Sequence, residues 1–508
     1  MAVAGGMRFR VGGNRAPRWY PSIMSDALGP GRDLLRSDCY VGGIWVGADE
    51  RFPVEDPSTG EVLARVPDLP DAVVDDALVA AARAFPAWRA RPAHERAGFL
   101  ARMAARMHDR ERELGALITA ENGKPLAEAV GEVRYAASFL EWFAGEAVRV
   151  YGETLPATRS DQRITVLREP VGPCAFITPW NFPAAMLTRK LGPALAAGCT
   201  VVAKPAEATP LTTLALAGIA DELGLPAGVF NVVTGEAARV GGHLITSRWI
   251  RKISFTGSTE VGRLIQRAAA DHLARVSLEL GGNAPFLVFA DADLDRAVAA
   301  ALIAKFRNAG QSCVAANRFL VEGRVAGLFG EKLVAEIKKL VVADGRTPNA
   351  SVGPLINRDA VAKVRRLVED AIARGARLVH GAVPAADHQL VEPVVLAGIT
   401  SDMPIWREEI FGPVVAMRTF ATEAEAIALA NDTEYGLVAY LCSRDASRQV
   451  RVAEALEVGM IGVNEGLIST AQAPFGGVKQ SGYGREGSHH GLDDYTVYKY
   501  VNTRVEAA

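Results

Sequence analysis

Residues 171–204 read VGPCAFITPWNFPAAMLTRKLGPALAAGCTVVAK. A short apolar run at 174–177 ends on a threonine-proline turn. Residues 184–197 then follow a helical pattern, and 200–203 is a second short apolar run. Two strands joined through a helix pair in parallel, because parallel neighbours need a crossover. The unit repeats downstream, with helices at 211–223 and 237–247 and strands at 229–233 and 252–255. Alternation of this kind predicts a parallel sheet covered by helices on both faces.

A second series follows Gly281: strand 286–288, helix 294–306, strand 318–321 and helix 325–339. It continues with helix 358–374, strands 377–380 and 414–419, and helices 423–431 and 447–456. Upstream of residue 171, residues 40–56 read as short strands and a turn. Helices are expected at 71–85, 93–122 and 126–148, then an extended strand at 163–169. The run 495–505 is strand-like and lies beyond both series. A lone terminal strand commonly pairs with another subunit, so a homo-oligomer is expected. The fold class is therefore α/β, with two Rossmann-like parallel-sheet domains and a small β domain. No internal repeat at solenoid spacing occurs.

The chain has 508 residues, enough for two or three domains. Lys+Arg number 56 and Asp+Glu 58, which leaves no basic footprint for nucleic acid and no polybasic membrane anchor. No apolar run reaches the length of a membrane span. The five cysteines are scattered, with no metal spacing and no disulfide framework, which points to a reducing compartment and a cytoplasmic protein. Residues 1–37 differ from the rest. Arg8, Arg10, Arg15 and Arg18 precede any acidic residue, without the apolar core of a secretory signal. A disordered leader is expected there, or a true start nearer Met24.

Several stretches carry chemistry. Lys305 to Arg318 reads KFRNAGQSCVAANR, with Cys313 among small residues that leave room around its sulfur. A thiol is a strong nucleophile only as thiolate. TPWNFP at 178–183 (Thr178, Pro179, Trp180, Asn181, Phe182, Pro183) follows a strand, where ligands sit in open α/β sheets. The Asn181 amide can hold an oxygen that becomes negative during reaction, or it can cap the next helix. VVAKPAE at 201–207 ends a strand with Lys204 and Glu207. A lysine there can reach ribose or phosphate, and a carboxylate can accept from ribose hydroxyls and repel a 2′-phosphate. FTGSTEVG at 255–262 offers Gly257, Ser258 and free N–H groups to a diphosphate.

LELGGN at 278–283 sets Glu279 in apolar surroundings, which raise a carboxyl pKa toward the range of a general base. REEIFGP at 407–413 supplies Glu409, a candidate for a ribose hydroxyl pair, and Phe411. PFGGVKQSG at 474–482 supplies Phe475 as a wall. His489 and His490 are adjacent but have no further ligands at metal spacing, so no metal site is expected.

Together, in this order, these motifs resemble the aldehyde dehydrogenase superfamily, from about Cys39 to the carboxyl terminus. The resemblance implies a dinucleotide-binding domain (38–150 and 171–281), a catalytic domain (282–482) and an oligomerisation domain (151–170 and 483–508). It also implies dimers or tetramers, a small aldehyde as substrate and NAD or NADP as cofactor. By resemblance, Cys313 is the nucleophile, Glu279 activates water, and Asn181 with the Cys313 N–H holds the oxyanion. Thr178, Pro179, Trp180, Lys204, Glu207, Gly257, Ser258, Glu409 and Phe411 are the cofactor residues. Glu207 makes NAD the expected preference.

Within that superfamily, VNEGLIS at 463–469, TRK at 188–190 and KFRN at 305–308 are similar to the succinate-semialdehyde dehydrogenases. That likeness implies that Arg189, Arg307 and Ser469 bind the far carboxylate, with Phe475 beside them. Guanidinium suits such an anion. Several members of that group carry a second cysteine two residues after the nucleophile, forming a redox switch; here it is Ala315, so no such switch is expected. The same chemistry on glutarate semialdehyde remains open from sequence. An enzyme that passes the acyl group to coenzyme A is disfavoured by Glu279, which such enzymes generally lack.

Overall fold

The computed structural model describes residues 28–506. Two large sheets dominate. The first has eight strands, ordered Ile44–Val46, Cys39–Val41, Phe230–Val232, Val201–Lys204, Cys174–Ile177, Lys252–Thr256, Arg275–Glu279 and Gly482–Tyr483. Its five central strands are parallel, and antiparallel strands close both edges. Alternate residues of Cys174–Ile177 serve two cores. Phe176 packs with the helices of residues 93–147, and Ala175 packs with the helices on the opposite face. Burial on both faces explains why these strands are continuous apolar runs.

The second sheet has seven strands, ordered Arg377–His380, Val394–Ala397, Val414–Phe420, Ala316–Glu322, Ala284–Val288, Val438–Cys442 and Met460–Val463. Only Arg377–His380 runs antiparallel. It too has a core on each face: Phe286 and Val288 enter one, Leu287 the other. A third sheet joins Thr496–Arg504, Gln162–Pro170 and Glu153–Leu155, all antiparallel. Among the described residues no helix is long and apolar enough to cross a membrane.

Several expectations need correction. The span 93–122 is two helices, Ala93–Asp109 and Glu111–Asn122, separated at Arg110, whose φ and ψ are −111° and 21°. The helix expected to end at residue 85 runs from Asp71 to Arg89 and takes in Pro86. The terminal strand pairs within the chain, along its whole length, with Gln162–Pro170. Strand Gly482–Tyr483 straddles the boundary expected at residue 482 and pairs with the first sheet. The reading of residues 1–37 falls partly outside the described residues, as do the four arginines and Met24. The described part, however, packs against the body. Leu28 and Leu34 are buried in the core, and a Cβ on Gly31 would stand 2.9 Å from the Glu113 carbonyl. The ordered body therefore includes residues 28–37.

Candidate active site

Chain order in the first sheet reverses between Cys174–Ile177 and Lys252–Thr256. Loops leaving the carboxyl ends of two such strands run in opposite directions and open a crevice. Pro179, Trp180 and Asn181 leave the first strand; Gly257 and Ser258 leave the second. All five line one cavity of about 320 Å³. Glu279, at the end of the next strand, lines it too. From the second sheet come Arg307, Cys313, Glu409, Phe411, Ser469 and Phe475.

The cysteine loop is shaped by its backbone. Helix Leu294–Phe306 ends, and Asn308, Ala309 and Gly310 follow with φ of 51°, 55° and 77°. Three successive left-handed residues turn the chain sharply, at a cost for the two that bear side chains. Gly310 is also required for space, since a Cβ there would meet the Gly412 carbonyl at 2.3 Å. Side chains then fix the turn. Gln311 accepts from Ile356 N at 2.9 Å and donates to the Asn308 and Pro354 carbonyls. Gly282 lets the loop close, as a Cβ there would lie 2.4 Å from the Cys313 carbonyl. Burial, helped by the carboxylates of Glu409 and Glu279, pushes the Cys313 thiol up to about 12; Arg189 pulls the other way.

Asn181 is bound to this loop from the opposite sheet. Its Nδ2 donates to the Gln311 carbonyl at 3.1 Å, and one amide hydrogen remains. Its own carbonyl accepts from Lys124 Nζ at 2.7 Å and Asn308 Nδ2 at 2.9 Å. Lys124 in turn reaches Glu132 Oε2 at 2.5 Å, and Glu132 Oε1 accepts the N–H groups of Ala184 and Ala185 at the start of the following helix. Stranding either charge of this buried pair costs about 3–5 kcal/mol, so the Asn181 loop is held firmly.

Both carboxylate oxygens of Glu279 are buried without a hydrogen-bond partner among the described residues. Burial, with Glu486 nearby, raises this carboxyl well above the usual range, against Arg189 and Lys190. Glu486 behaves oppositely. Burial alone would raise it, but Lys190 and Arg189 outweigh that and hold it low. The geometry shows why: Arg189 Nε lies 2.5 Å from Glu486 Oε2, Lys190 bonds Oε1, and Lys190 Nζ also donates to Thr256 at 2.7 Å. Of two neighbouring buried carboxyls, one is biased toward its charged form and the other toward its neutral form.

The predicted substrate residues differ in their freedom. Arg189 is fully buried, committed to Glu486, and stacked on Phe475 with Cζ 3.9 Å from the ring centroid. Arg307 makes no ion pair among the described residues and lies over Phe182 at 4.8 Å. Three predicted cofactor residues, Thr178, Lys204 and Glu207, do not line the cavity. Lys204 and Glu207 pair with each other at 2.9 Å beyond it. Ser258 caps helix Thr259–Ala270 by accepting from Val261 N at 3.3 Å, so that helix starts at the cavity wall. Glu409 accepts from Gly282 N at 3.0 Å, and burial moves its carboxyl up to about 7. Trp180 and Phe411 meet edge-to-face, 5.5 Å between centroids.

Sequence reasoning missed Tyr135, Lys190, Thr256, Lys363 and Glu486. Lys190 and Thr256 sit inside the TRK and FTGSTEVG stretches without a role having been read for them, and Tyr135, Lys363 and Glu486 sit in no motif. Tyr135 is one of many apolar-face positions on its helix, and Glu486 finds its partners only through the fold.

A dinucleotide fits what the crevice offers. A helix N-terminus faces it, Glu409 presents a carboxylate, and the strand ends carry Lys204 and Glu207. The aldehyde dehydrogenase family model matches residues 45–501. The chain is 51% identical over 470 residues to the glutarate-semialdehyde dehydrogenase of Pseudomonas putida, covering 92% of this chain and 98% of that protein. It is 50% identical over 472 residues to succinate-semialdehyde dehydrogenase [NADP(+)] of Escherichia coli, with the same coverage of 92% and 98%. Among solved structures, succinate-semialdehyde dehydrogenase from Burkholderia pseudomallei superimposes with a TM-score of 0.91 at 52% identity, covering 93% of this chain and 99% of that one. The chain belongs to the aldehyde dehydrogenase family. It is an aldehyde-oxidising enzyme, and the family uses NAD(P).

Proposed function

We propose that the protein oxidises succinate semialdehyde to succinate through a thioester on Cys313. The observation that carries this reading is one cavity holding a cysteine, an amide donor and a neutral-biased carboxyl, with the ion-pair-free Arg307 in its wall. The Cys313 thiol gives its proton to solvent and, as thiolate, adds to the aldehyde carbon. The oxygen becomes negative and takes hydrogen bonds from the remaining Asn181 amide hydrogen and the Cys313 N–H. The bound dinucleotide supplies the hydride acceptor. Loss of hydride from carbon leaves a thioester on Cys313. Glu279, as carboxylate, then takes a proton from water; the water oxygen joins the acyl carbon, the C–S bond breaks, and the carboxylic acid leaves.

Ser258, Gly257 and the helix they precede would hold the diphosphate, and Glu409 a ribose, beside the Trp180–Phe411 wall. Glu207, held by Lys204, would take the ribose hydroxyls at the other end, so we assign NAD as the preferred cofactor. The same reading divides the chain into the three domains expected from sequence and makes the three-stranded sheet a contact between copies. Its exposed Leu155, Leu167, Tyr498 and Tyr500 support that role. Glutarate semialdehyde is the second reading, favoured by the name of the Pseudomonas putida relative.

Initial rates from reduced-cofactor absorbance test both points. Succinate semialdehyde is expected to exceed butanal in kcat/KM by about tenfold or more, the value of a charge-assisted contact. NAD is expected to give higher kcat/KM than NADP. Equal rates for the two aldehydes would remove the substrate assignment, a higher value with glutarate semialdehyde would favour the second reading, and a preference for NADP would remove the cofactor assignment.

A further inference from the structure

We propose that the Tyr135 hydroxyl is an additional donor to the substrate's far carboxylate, set beside Arg307 and Ser469 and selecting acid semialdehydes from helix Leu126–Ala147. This rests on the substrate reading above. Tyr135 lies on helix Leu126–Ala147 and lines the cavity with Arg189, Arg307 and Ser469. Its hydroxyl is buried and, among the described residues, makes no direct hydrogen bond within 3.5 Å, with the Ser469 hydroxyl as its hydrogen-bonding neighbour. A buried hydroxyl left short of a direct partner is destabilising, and proteins seldom keep one in an ordinary core. The ring is held in place, edge-on to Phe139 with centroids 4.9 Å apart. Arg307 Cζ lies 5.8 Å from the same ring, and Arg189, Ser469 and the ion-paired Glu486 also bear on the hydroxyl.

Charge explains why a neutral donor is useful here. Arg189 and Lys190 share the single carboxylate of Glu486, so Arg189 brings only part of a charge to the ligand. Its Nη2 is buried without a partner, as the Tyr135 hydroxyl is. A carboxylate entering between them and Arg307 would satisfy both orphans at once. It has acceptor capacity for all of these donors. Burial raises the tyrosine pKa, with the two arginines opposing, and the phenol therefore stays a donor at neutral pH. Glu132, one turn earlier on the helix, is tied to the Asn181 loop through Lys124 and the N–H groups of Ala184 and Ala185. The hydroxyl is thus fixed relative to the reacting end of the substrate.

The test is Tyr135→Phe in the full-length enzyme, which removes one oxygen and keeps the ring. For succinate semialdehyde, KM is expected to rise about tenfold with little change in kcat, the loss of a hydrogen bond to a charged group. Succinate should weaken as an inhibitor by the same factor, and butanal should keep its kcat/KM. Melting temperature should change little, because the hydroxyl makes no direct hydrogen bond to the described residues that the change would remove. If the wild type prefers acid semialdehydes and the variant keeps that preference in full, the proposal is overturned. Equal losses on succinate semialdehyde and butanal, or a marked drop in melting temperature, would also overturn it by assigning Tyr135 a packing role. A wild type indifferent to the acid group would defeat the substrate reading itself, and this inference with it.

Discussion

Cys313→Ala lowers kcat by about 10⁴-fold or more, the scale seen when a covalent nucleophile is removed. No other thiol can take over: Cys39, Cys174, Cys199 and Cys442 are all buried, and none lines the cavity. The loss should be purely chemical. The loop's shape comes from Asn308, Gly310 and Gln311, and the change removes one sulfur at the cavity wall. Unchanged thermal melting and retained dinucleotide binding would separate lost chemistry from lost structure. Turnover within tenfold of wild type would exclude Cys313 as the nucleophile.

Arg307→Ala is the second large effect. With succinate semialdehyde, kcat/KM is expected to fall about a hundredfold, within the 2–5 kcal/mol typical of truncating a buried charged partner. With butanal it should stay within about threefold, since that substrate never used the charge. Arg307 is the informative arginine because it makes no ion pair among the described residues. Removing Arg189 is less clean. It takes one of the two cations from Glu486 and alters the charge around Glu279, so both substrates would suffer. Equal losses on both aldehydes in Arg307→Ala would refute the carboxylate contact.

Much of the fold could be read from sequence because the strands are short runs buried on both faces and many of the helices are buried on one. Length, not periodicity, separates 174–177 from Ala185–Ala197, a helix buried on every side. Strands Arg275–Glu279, Val394–Ala397, Val438–Cys442 and Met460–Val463 escaped for a physical reason. They are short, and only pairing across the sheet distinguishes them from buried turns. The break at Arg110 escaped because neither glycine nor proline marks it.

In the site, the motifs placed Cys313, Asn181 and Glu279 on one cavity, because each motif ends a strand or leaves a helix toward the crevice. Lys204 and Glu207 show the limit of that logic. Three residues apart, their opposite charges meet each other before any ligand. Glu486 shows a different limit: its partner Lys190 lies 296 residues away, and no local pattern encodes that meeting.

The central claim is a covalent acyl group on Cys313 that Glu279 helps to release. Glu279→Gln keeps the size of the side chain and removes the base. Mixed with succinate semialdehyde and NAD, it should give a single burst of NADH and then stall. Intact mass and peptide mapping should place a succinyl group on Cys313. A burst with no adduct on that peptide, or steady turnover at the wild-type rate, would contradict the account.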